Sequence, residues 1–319
     1  MAKVKRLFLS FYRLFLPAVI VLVLAVVSGS VWLVHESSQP PRAPYLVRPE
    51  KYGLLSSRGA QITDESWKNQ DGTPARGWLL RGAEGSPGVI LLHKYGADRS
   101  YMLNLGVKLN EATNFTVLMP DQRGHGEAPA VNYSSFGSRE GADAITDIAY
   151  LRSLRTPANT PLVGQSIGIF GIEMGATAAL AAAAADPTVR TLVLDSVPQN
   201  TDAVLGAAVD RRFPFASAVT SKFASLGTSL YFYDGSYEEN AGCIQARTVA
   251  AQRVLVLAGL DAPGFQESSM KVGKCFPPGV NVESQLDLSP SGYSIMNASV
   301  DRSQAYDQRV VEFFKSMMN

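Results

Sequence analysis

The sequence predicts an α/β fold in which a mostly parallel, mixed sheet is covered by helices, behind an N-terminal transmembrane helix. Three observations lead to this prediction. Short apolar runs such as Gly88–His93, which are typical of strands buried on both faces, alternate with segments of helical spacing. A hairpin pattern precedes the first of these runs, which indicates that the sheet is mixed. A long uncharged apolar segment lies near the N-terminus.

The apolar segment Leu14–Val34 contains no charged residue, and at about 1.5 Å per residue it would span the hydrocarbon core of a bilayer, roughly 30 Å thick. Residues 1–13 carry the basic side chains Lys3, Lys5, Arg6 and Arg13. The positive-inside rule therefore predicts a cytoplasmic N-terminus, a span over residues 14–34 and an extracytoplasmic remainder, either periplasmic or extracellular. A signal peptide cleaved near Ser28–Ser30 is the competing interpretation. A buried core helix fits less well, because apolar residues surround the whole helix.

The segment that follows, residues 35–59, is rich in proline and polar residues, which is typical of an extended tether. The 319-residue chain has a net charge of +1, so nothing points to a nucleic-acid partner. Its two cysteines, Cys243 and Cys275, lie on the exported side, where they could form a disulfide or remain two buried thiols. Two cysteines without clustered histidines indicate no metal site, and no cofactor is predicted.

Residues 60–319 show the alternation of elements in chain order. Residues 61–80 read as a hairpin around the turn Asn69–Pro74. Residues 199–240 have no strand period and many aromatic residues, and we interpret them as an inserted lid. The remaining predicted strands are Phe115–Met119, Arg190–Val197, Arg253–Gly259 and Val280–Leu288, and the predicted helices lie near Tyr101–Leu109, Gly141–Leu154, Ile244–Ala251 and Ser303–Met318.

The stretch Ser166–Asp186 organises the rest of the chain: an apolar strand enters a tight turn, and an alanine-rich helix leaves it. This pattern is typical of a nucleophile elbow, in which a strained turn lifts one side chain above the edge of the sheet. Gly171 and Gly175 would let the strand and the helix approach closely. The residue at the tip is Glu173, where a serine hydrolase carries serine.

Three segments together resemble the α/β-hydrolase fold family, most of all bacterial membrane-anchored or exported hydrolases related to serine aminopeptidases and esterases. They are Val89–Leu103, Val117–Ala128 with its Arg-Gly-His-Gly turn, and Gly168–Leu180 followed by the segment Val189–Val197. The resemblance covers residues from about 60 to 319. It implies an α/β-hydrolase fold and a triad of nucleophile, acid and histidine in chain order.

The resemblance places the three triad positions at Glu173, Asp261 and Tyr293. Glutamate cannot replace serine in acyl transfer, and a tyrosine with a pKa of about 10 is a poor general base. Asp261 matches the acid, or it caps the helix that follows. The chain holds three histidines, His35, His93 and His125, and none follows the elbow. We therefore expect no working Ser-His-Asp triad.

The oxyanion loop is implied at His93, Lys94 and Tyr95, with the N–H groups of Tyr95 and Met174 as the donors. Lys94 stands where the family pattern has glycine, and we hypothesise an ion pair between Lys94 and Glu173. His93 and His125 are expected to brace the loop and the neighbouring turn through hydrogen bonds. Within that turn we expect a structural pair between Asp121 and Arg123.

The leading functional hypothesis is a membrane-anchored, extracytoplasmic binding protein of this fold, without serine hydrolase activity, that holds a small apolar ligand or a protein partner. The alternative is a hydrolase with rearranged chemistry, in which Glu173 acts as base or nucleophile and Tyr293 donates a proton. An aromatic lid would then suit an apolar substrate; its aromatic residues are Phe213, Phe215, Phe223, Tyr231, Phe232 and Tyr233. A third hypothesis is an ordinary active hydrolase, which the histidine count disfavours.

Overall fold

The computed structural model describes residues 2–53, 59–214, 217–234, 237 and 242–318. The predictions for the N-terminus, the linker and the lid also include residues outside these ranges, among them Phe215 of the aromatic set. Two compact units are present: the first comprises the residues up to Ser38 together with Leu205–Tyr237, and the second comprises Gln39–Val204 and Glu238–Asn319.

An eight-stranded sheet forms the centre of the second unit, in the order β1-β2-β4-β3-β5-β6-β7-β8. The strands β1, β2 and β4 pair antiparallel, and all pairs from β4 to β8 are parallel, which confirms the mixed and mostly parallel sheet. The strands are β1 (Ile62–Lys68), β2 (Pro74–Leu80), β3 (Ser86–Leu92), β4 (Thr116–Pro120), β5 (Val163–Ile172), β6 (Val189–Asp195), β7 (Arg253–Gly259) and β8 (Asn281–Leu288).

Ten α-helices are described, and two short 3-10 helices, Arg99–Met102 and Gly292–Asn297, join them. The helices are α1 (Ala2–Ser38), α2 (Pro49–Gly53), α3 (Leu103–Thr113), α4 (Ser138–Ser153), α5 (Met174–Ala185), α6 (Thr201–Arg212), α7 (Ser217–Tyr231), α8 (Gly242–Thr248), α9 (Pro263–Gly273) and α10 (Val300–Met318).

Side chains from the two faces of the sheet enter two separate hydrophobic clusters. Ile90 and Ile169 belong to the cluster that includes α4 and α5, whereas Leu91 and Phe170 belong to the cluster that includes α3 and α10. Neighbouring residues alternate between the clusters because successive side chains in a strand point to opposite faces. Both faces are therefore buried, as the continuous apolar runs predict.

Within the first unit, α1 contains the predicted span 14–34. Its segment Phe15–Ser38 has a mean hydropathy of 2.5 and is long and apolar enough to cross a membrane. Most side chains between Phe15 and Val27 are exposed. Exposed apolar residues around the helix differ from the one-sided pattern of a helix packed on a soluble core.

A disulfide joins Cys243 on α8 to Cys275, which follows α9. Of the two alternatives that the sequence left open for these cysteines, the structure shows the bonded pair. The bond fixes α8 to the end of α9 across a separation of 32 residues.

Candidate functional site

The elbow has the geometry that its sequence indicates. Glu173 lies between β5 and α5 with φ 51° and ψ −110°, a backbone conformation that is costly for a residue with a Cβ. A Cβ on Gly171 would lie 2.2 Å from the carbonyl oxygen of Gly175, and one on Gly175 would lie 2.3 Å from that of Leu92. Both glycines are therefore required by the close approach of the strands and the helix.

The side chain of Glu173 is fully buried and turns toward the loop after β3. Its Oε2 accepts a hydrogen bond from the backbone N–H of Tyr95 at 2.8 Å. The sequence predicted this N–H as a donor of the oxyanion loop. The other predicted donor belongs to Met174, the first residue of α5, whose Sδ contacts the Ser134 hydroxyl at 3.2 Å. At Tyr95, the side chain of Glu173 therefore occupies the backbone donor that we predicted for the oxyanion loop.

Asp195, at the C-terminal end of β6, contributes to the same region, although no sequence pattern indicates it as a site residue. Its backbone carbonyl accepts the N–H of Glu173 at 2.9 Å. Its buried carboxylate accepts from the Tyr306 hydroxyl at 2.6 Å, the Ser196 hydroxyl at 2.7 Å and the Gly292 N–H at 2.9 Å. Burial raises the pKa of Asp195, and these three donors oppose that shift.

Asp261 lies just after β7, as predicted, and its side chain is committed to the loop before Tyr293. Its carboxylate accepts from the Ser291 N–H at 2.9 Å and from the Ser291 hydroxyl at 3.1 Å. The Ser291 hydroxyl oxygen in turn accepts the N–H of Tyr293 at 3.3 Å. The alternative of a cap on the following helix does not hold, because α9 begins at Pro263, its N-cap residue is Ala262, and no side chain caps it.

Lys94, in the loop after β3, contacts the loop after β8 that carries Tyr293. Its ammonium donates to the backbone carbonyl of Tyr293 and lies 4.4 Å from the centre of the Tyr293 ring and 5.4 Å from that of Tyr101. These are cation–π distances. The ion pair that we hypothesised between Lys94 and Glu173 is not part of these contacts and stays a prediction.

His93 and His125 have the bracing contacts that we expected. Nδ1 of His93 donates to the Lys94 carbonyl at 2.9 Å, and Nε2 accepts the Gln122 N–H at 3.0 Å. Nδ1 of His125 donates to the Arg123 carbonyl at 2.8 Å, and Nε2 accepts the Gly96 N–H at 3.0 Å. Both nitrogens of each ring are thus engaged with the backbone, which removes the lone pair that a general base requires.

The pair predicted between Asp121 and Arg123 is wrong. Arg123 forms ion pairs with Asp143 at 2.8 Å and Asp71 at 2.9 Å, and Asp121 lies 3.3 Å from Arg99. Residues 121 and 123 project toward different elements, so each finds its partner on a neighbouring helix or loop.

A cavity of about 240 Å³ opens beside this turn, lined by residues that include Gln122, His125 and Asp147. Glu173 is not among its lining residues. Two ion pairs lie in the cavity wall: Arg48 binds Glu127 at 2.7 Å, and Arg99 binds Asp64 at 2.9 Å. This cavity is therefore separate from the elbow.

The described contacts bring Glu173, Asp261 and Tyr293 to one edge of the sheet, with the loops after β3, β6 and β8 between them. The contacts link these loops by hydrogen bonds between side chains and backbone. The arrangement fixes the loops after β3 and β8 to the ends of β5, β6 and β7.

A sequence profile of the alpha/beta hydrolase family matches residues 89–280. The structure resembles an esterase of Pyrococcus furiosus with a TM-score of 0.60 at 20% identity, covering 88% of this chain and 98% of that chain. It also resembles a dienelactone hydrolase of Anabaena variabilis with a TM-score of 0.55 at 16% identity, covering 82% of this chain and 99% of that chain. It resembles a thermostable carboxyl esterase of Bacillus coagulans with a TM-score of 0.54 at 15% identity, covering 81% of this chain and 99% of that chain. No curated protein sequence matches this chain.

Proposed function

Since this chain belongs to the alpha/beta hydrolase family, we propose that it uses the family fold as a membrane-anchored, extracytoplasmic binding protein and not as a serine hydrolase. The observation that carries the proposal is the hydrogen bond from the Tyr95 N–H to the Glu173 carboxylate. A carboxyl oxygen of the chain at this donor would occupy the place of the developing oxyanion of a tetrahedral intermediate.

The histidines support the same proposal. His93 and His125 spend both ring nitrogens on the backbone, and Tyr293 stands where the family has its histidine. Removing a triad member from a serine hydrolase costs several orders of magnitude in rate. Here the nucleophile and the base are both replaced, so we expect no acyl-enzyme chemistry.

The extracytoplasmic location rests on two observations. Basic residues precede the apolar segment of α1, which is the arrangement of a cytoplasmic N-terminus. The disulfide between Cys243 and Cys275 suits an oxidising compartment. A reporter that is active only outside the cytoplasm, fused after Asn319, should therefore be active, and a reporter that folds only in the cytoplasm should be inactive at the same position.

A fluorescent phosphonate that labels serine hydrolases tests the lack of activity. We expect no labelling of the full chain and no hydrolysis of short acyl esters or aminoacyl amides, beside an active serine esterase as the positive control. Covalent label on a peptide from Val163–Ala185 would contradict the proposal. If the label is found on another peptide and its amount is the same in Glu173→Ala, the label reports a different surface site and not the elbow.

One observation favours the alternative of a hydrolase with rearranged chemistry: Glu173 keeps the strained φ of 51° that catalytic elbows have. That alternative requires turnover of some ester or related substrate that disappears in Glu173→Gln while the fold is retained. The binding proposal expects Glu173→Gln to leave ligand binding and the absence of turnover unchanged.

A further inference from the structure

The helix α4 presents a row of three carboxyl groups to the cavity beside the loop after β4. Glu140, Asp143 and Asp147 follow one another at spacings of three and four residues, which aligns them along the helix. All three line the cavity of about 240 Å³. The neighbouring row of α4, with Ala144 and Ile148, enters the hydrophobic core. The part of α4 that borders the cavity is therefore acidic.

Two of these carboxyl groups have strong partners within the chain. Glu140 accepts four hydrogen bonds from the segment 134–137. The two oxygens of Asp143 accept from Arg123 at 2.8 and 3.0 Å. Three further carboxyl groups of the cavity wall each lie in an ion pair with an arginine; they belong to Asp64, Asp121 and Glu127. These five groups therefore need no additional donor.

Asp147 is different. It is 3% exposed, and its Oδ1 accepts the indole N–H of Trp67 at 3.1 Å. Its Oδ2 has no hydrogen-bond or ion-pair partner among the residues that the structure describes. Burial and the neighbouring Asp143 raise the pKa of Asp147 well above its usual value, and only the Trp67 hydrogen bond opposes this shift. An ionised carboxyl group in this position is costly until a cation neutralises it.

Two amide side chains of the same wall also hold acceptors without a partner. Gln122 is 6% exposed, and its Oε1 has no hydrogen-bond partner, while its Nε2 donates to the His93 carbonyl. The buried Oδ1 of Asn69 also has none, while its Nδ2 donates to the Thr73 hydroxyl at 3.2 Å. The buried side-chain atoms of this wall that lack a partner within the described chain are therefore acceptors. A ligand that complements them has to donate hydrogen bonds.

The charge of the wall favours a cation as well. Six carboxyl groups and four guanidinium groups line the cavity, so acidic groups are in excess. Leu92, Pro120 and Val131 also line it and offer apolar contacts to a short carbon chain. A metal ion fits less well, because no group of three or more histidine, cysteine or carboxylate ligands occurs in the described part of the chain.

We propose that this cavity binds a small organic cation of the ammonium class, with its charged nitrogen against Asp147. An alkylammonium group supplies three N–H donors and no acceptor, which matches the unfilled groups of the wall. Water can fill the acceptors of a polar cavity, but it cannot neutralise the carboxylate. The cavity is separate from the elbow, so it would bind this ligand whether or not the chain hydrolyses esters.

The indole N–H signals of the three tryptophans test the proposal in the full chain, labelled with nitrogen-15 tryptophan and dissolved in a non-ionic detergent. Trp67 reports on Asp147, its hydrogen-bond partner, and its signal is identified by its loss in Trp67→Phe. Trp32 on α1 is the internal control. Three probes are compared at constant ionic strength. Propylammonium carries charge and N–H donors, tetramethylammonium carries charge alone, and 1-propanol is a neutral donor.

We expect propylammonium to shift the Trp67 signal saturably and to leave the Trp32 signal in place. Tetramethylammonium and 1-propanol should bind about tenfold more weakly or worse, because each lacks part of a charge-assisted hydrogen bond. Asp147→Asn keeps an acceptor for Trp67 and removes the charge, so it should weaken propylammonium binding by about tenfold or more. Asp287→Asn, at an exposed position on β8, should leave the binding unchanged.

The absence of a saturable shift at Trp67 with propylammonium would overturn the proposal. Equal affinities for propylammonium and either of the other two probes would also overturn it, because the cavity would then not select a cation that donates hydrogen bonds. Full propylammonium affinity in Asp147→Asn would place the cation elsewhere and refute the assignment to Asp147. If Asp147→Asn does not fold, the comparison of the three probes on the wild type decides.

Discussion

The Glu173 carboxylate accepts the backbone N–H of Tyr95 at 2.8 Å, and this hydrogen bond joins the elbow to the loop after β3. In a hydrolase the two elements remain apart so that a substrate carbonyl can lie between them. Here one side chain from the elbow crosses that gap. A ligand that bound to the Tyr95 N–H would have to displace the buried carboxyl group of Glu173. We therefore expect the elbow to play a structural role and not to bind ligand at this N–H.

The first prediction concerns the acceptor at position 173. Glu173→Gln keeps a side-chain oxygen that can accept the Tyr95 N–H, whereas Glu173→Ala leaves the donor unpaired and opens a small cavity. We expect Glu173→Ala to lower the free energy of unfolding by about 2–4 kcal/mol and Glu173→Gln by less than about 1 kcal/mol. Denaturant unfolding of the detergent-solubilised chain measures both. Equal losses would show that the charge of Glu173, and not its hydrogen bond, stabilises the elbow.

Much of this site could be predicted from local patterns in the sequence. The strand–turn–helix at Glu173 and the close approach at Gly171 and Gly175 depend on residues that are neighbours in the chain. The bracing roles of His93 and His125 followed from the resemblance of their turns to those of the family. The contact of the Glu173 carboxylate with Tyr95 was not predicted, because the choice between Tyr95 and Lys94 depends on side-chain direction.

The partners of Asp195 and Arg123 show what local patterns cannot give. Asp195 contacts Gly292 and Tyr306, which lie about a hundred residues further along the chain. The sequence shows an aspartate at the end of a predicted buried strand, but its neighbours in the chain do not indicate which distant groups it contacts. Arg123 stands two residues from Asp121 and yet binds Asp143 on α4, 20 residues further along the chain.

The second prediction concerns the link between Lys94 and the loop that carries Tyr293. Lys94→Met removes the donor to the Tyr293 carbonyl and the charge over two aromatic rings. We expect a loss of about 1–2 kcal/mol in unfolding free energy and faster hydrogen exchange of the amides in Gly292–Asn297. Lys315→Met, on the exposed side of α10, is the control. If amide exchange in Gly292–Asn297 is unchanged in Lys94→Met, then the hydrogen bonds of Asp261 and Asp195 are sufficient to fix this segment without Lys94.

The third prediction concerns the pH dependence of stability at Asp195. Burial raises the pKa of this carboxyl in the folded protein, so the native state binds its proton more tightly than the unfolded state. The resulting contribution to stability is fully present below the ordinary pKa of about 4 and is lost as the pH rises through the folded value. Asp195→Asn removes this dependence while keeping one acceptor oxygen.

Unfolding free energies of wild type and Asp195→Asn, measured from pH 4 upward, should therefore shift in favour of the variant as the pH increases. The change cannot exceed about 1.4 kcal/mol per pH unit, the limit for one proton. Asp287→Asn, at an exposed position on β8, is the matched control. Parallel curves for wild type and Asp195→Asn would contradict the raised pKa.

The fourth prediction concerns the disulfide between Cys243 and Cys275. The bond closes a loop of 32 residues, and a loop of that length limits the unfolded chain enough to stabilise the fold by roughly 2–4 kcal/mol. The double variant Cys243→Ser, Cys275→Ser should lose this amount in denaturant unfolding. Reduction of the wild type should give the same loss and leave the double variant unaffected. A loss under reduction in the double variant would trace the effect to the reductant.

The last prediction concerns the protonation state of His93. Its Nδ1–H donates to the Lys94 carbonyl, its Nε2 accepts the Gln122 N–H, and burial lowers the pKa of the ring. A lowered folded pKa means that the unfolded state binds the proton more readily. The contribution of His93 to stability is therefore present above the ordinary pKa of about 6.5 and is lost as the pH falls through the folded value. Nitrogen NMR of the ring should show Nδ1 protonated and Nε2 unprotonated throughout pH 6–8. A ring that titrates near 6.5 would free Nε2 from Gln122 and make His93 a candidate base for the rearranged chemistry at Glu173.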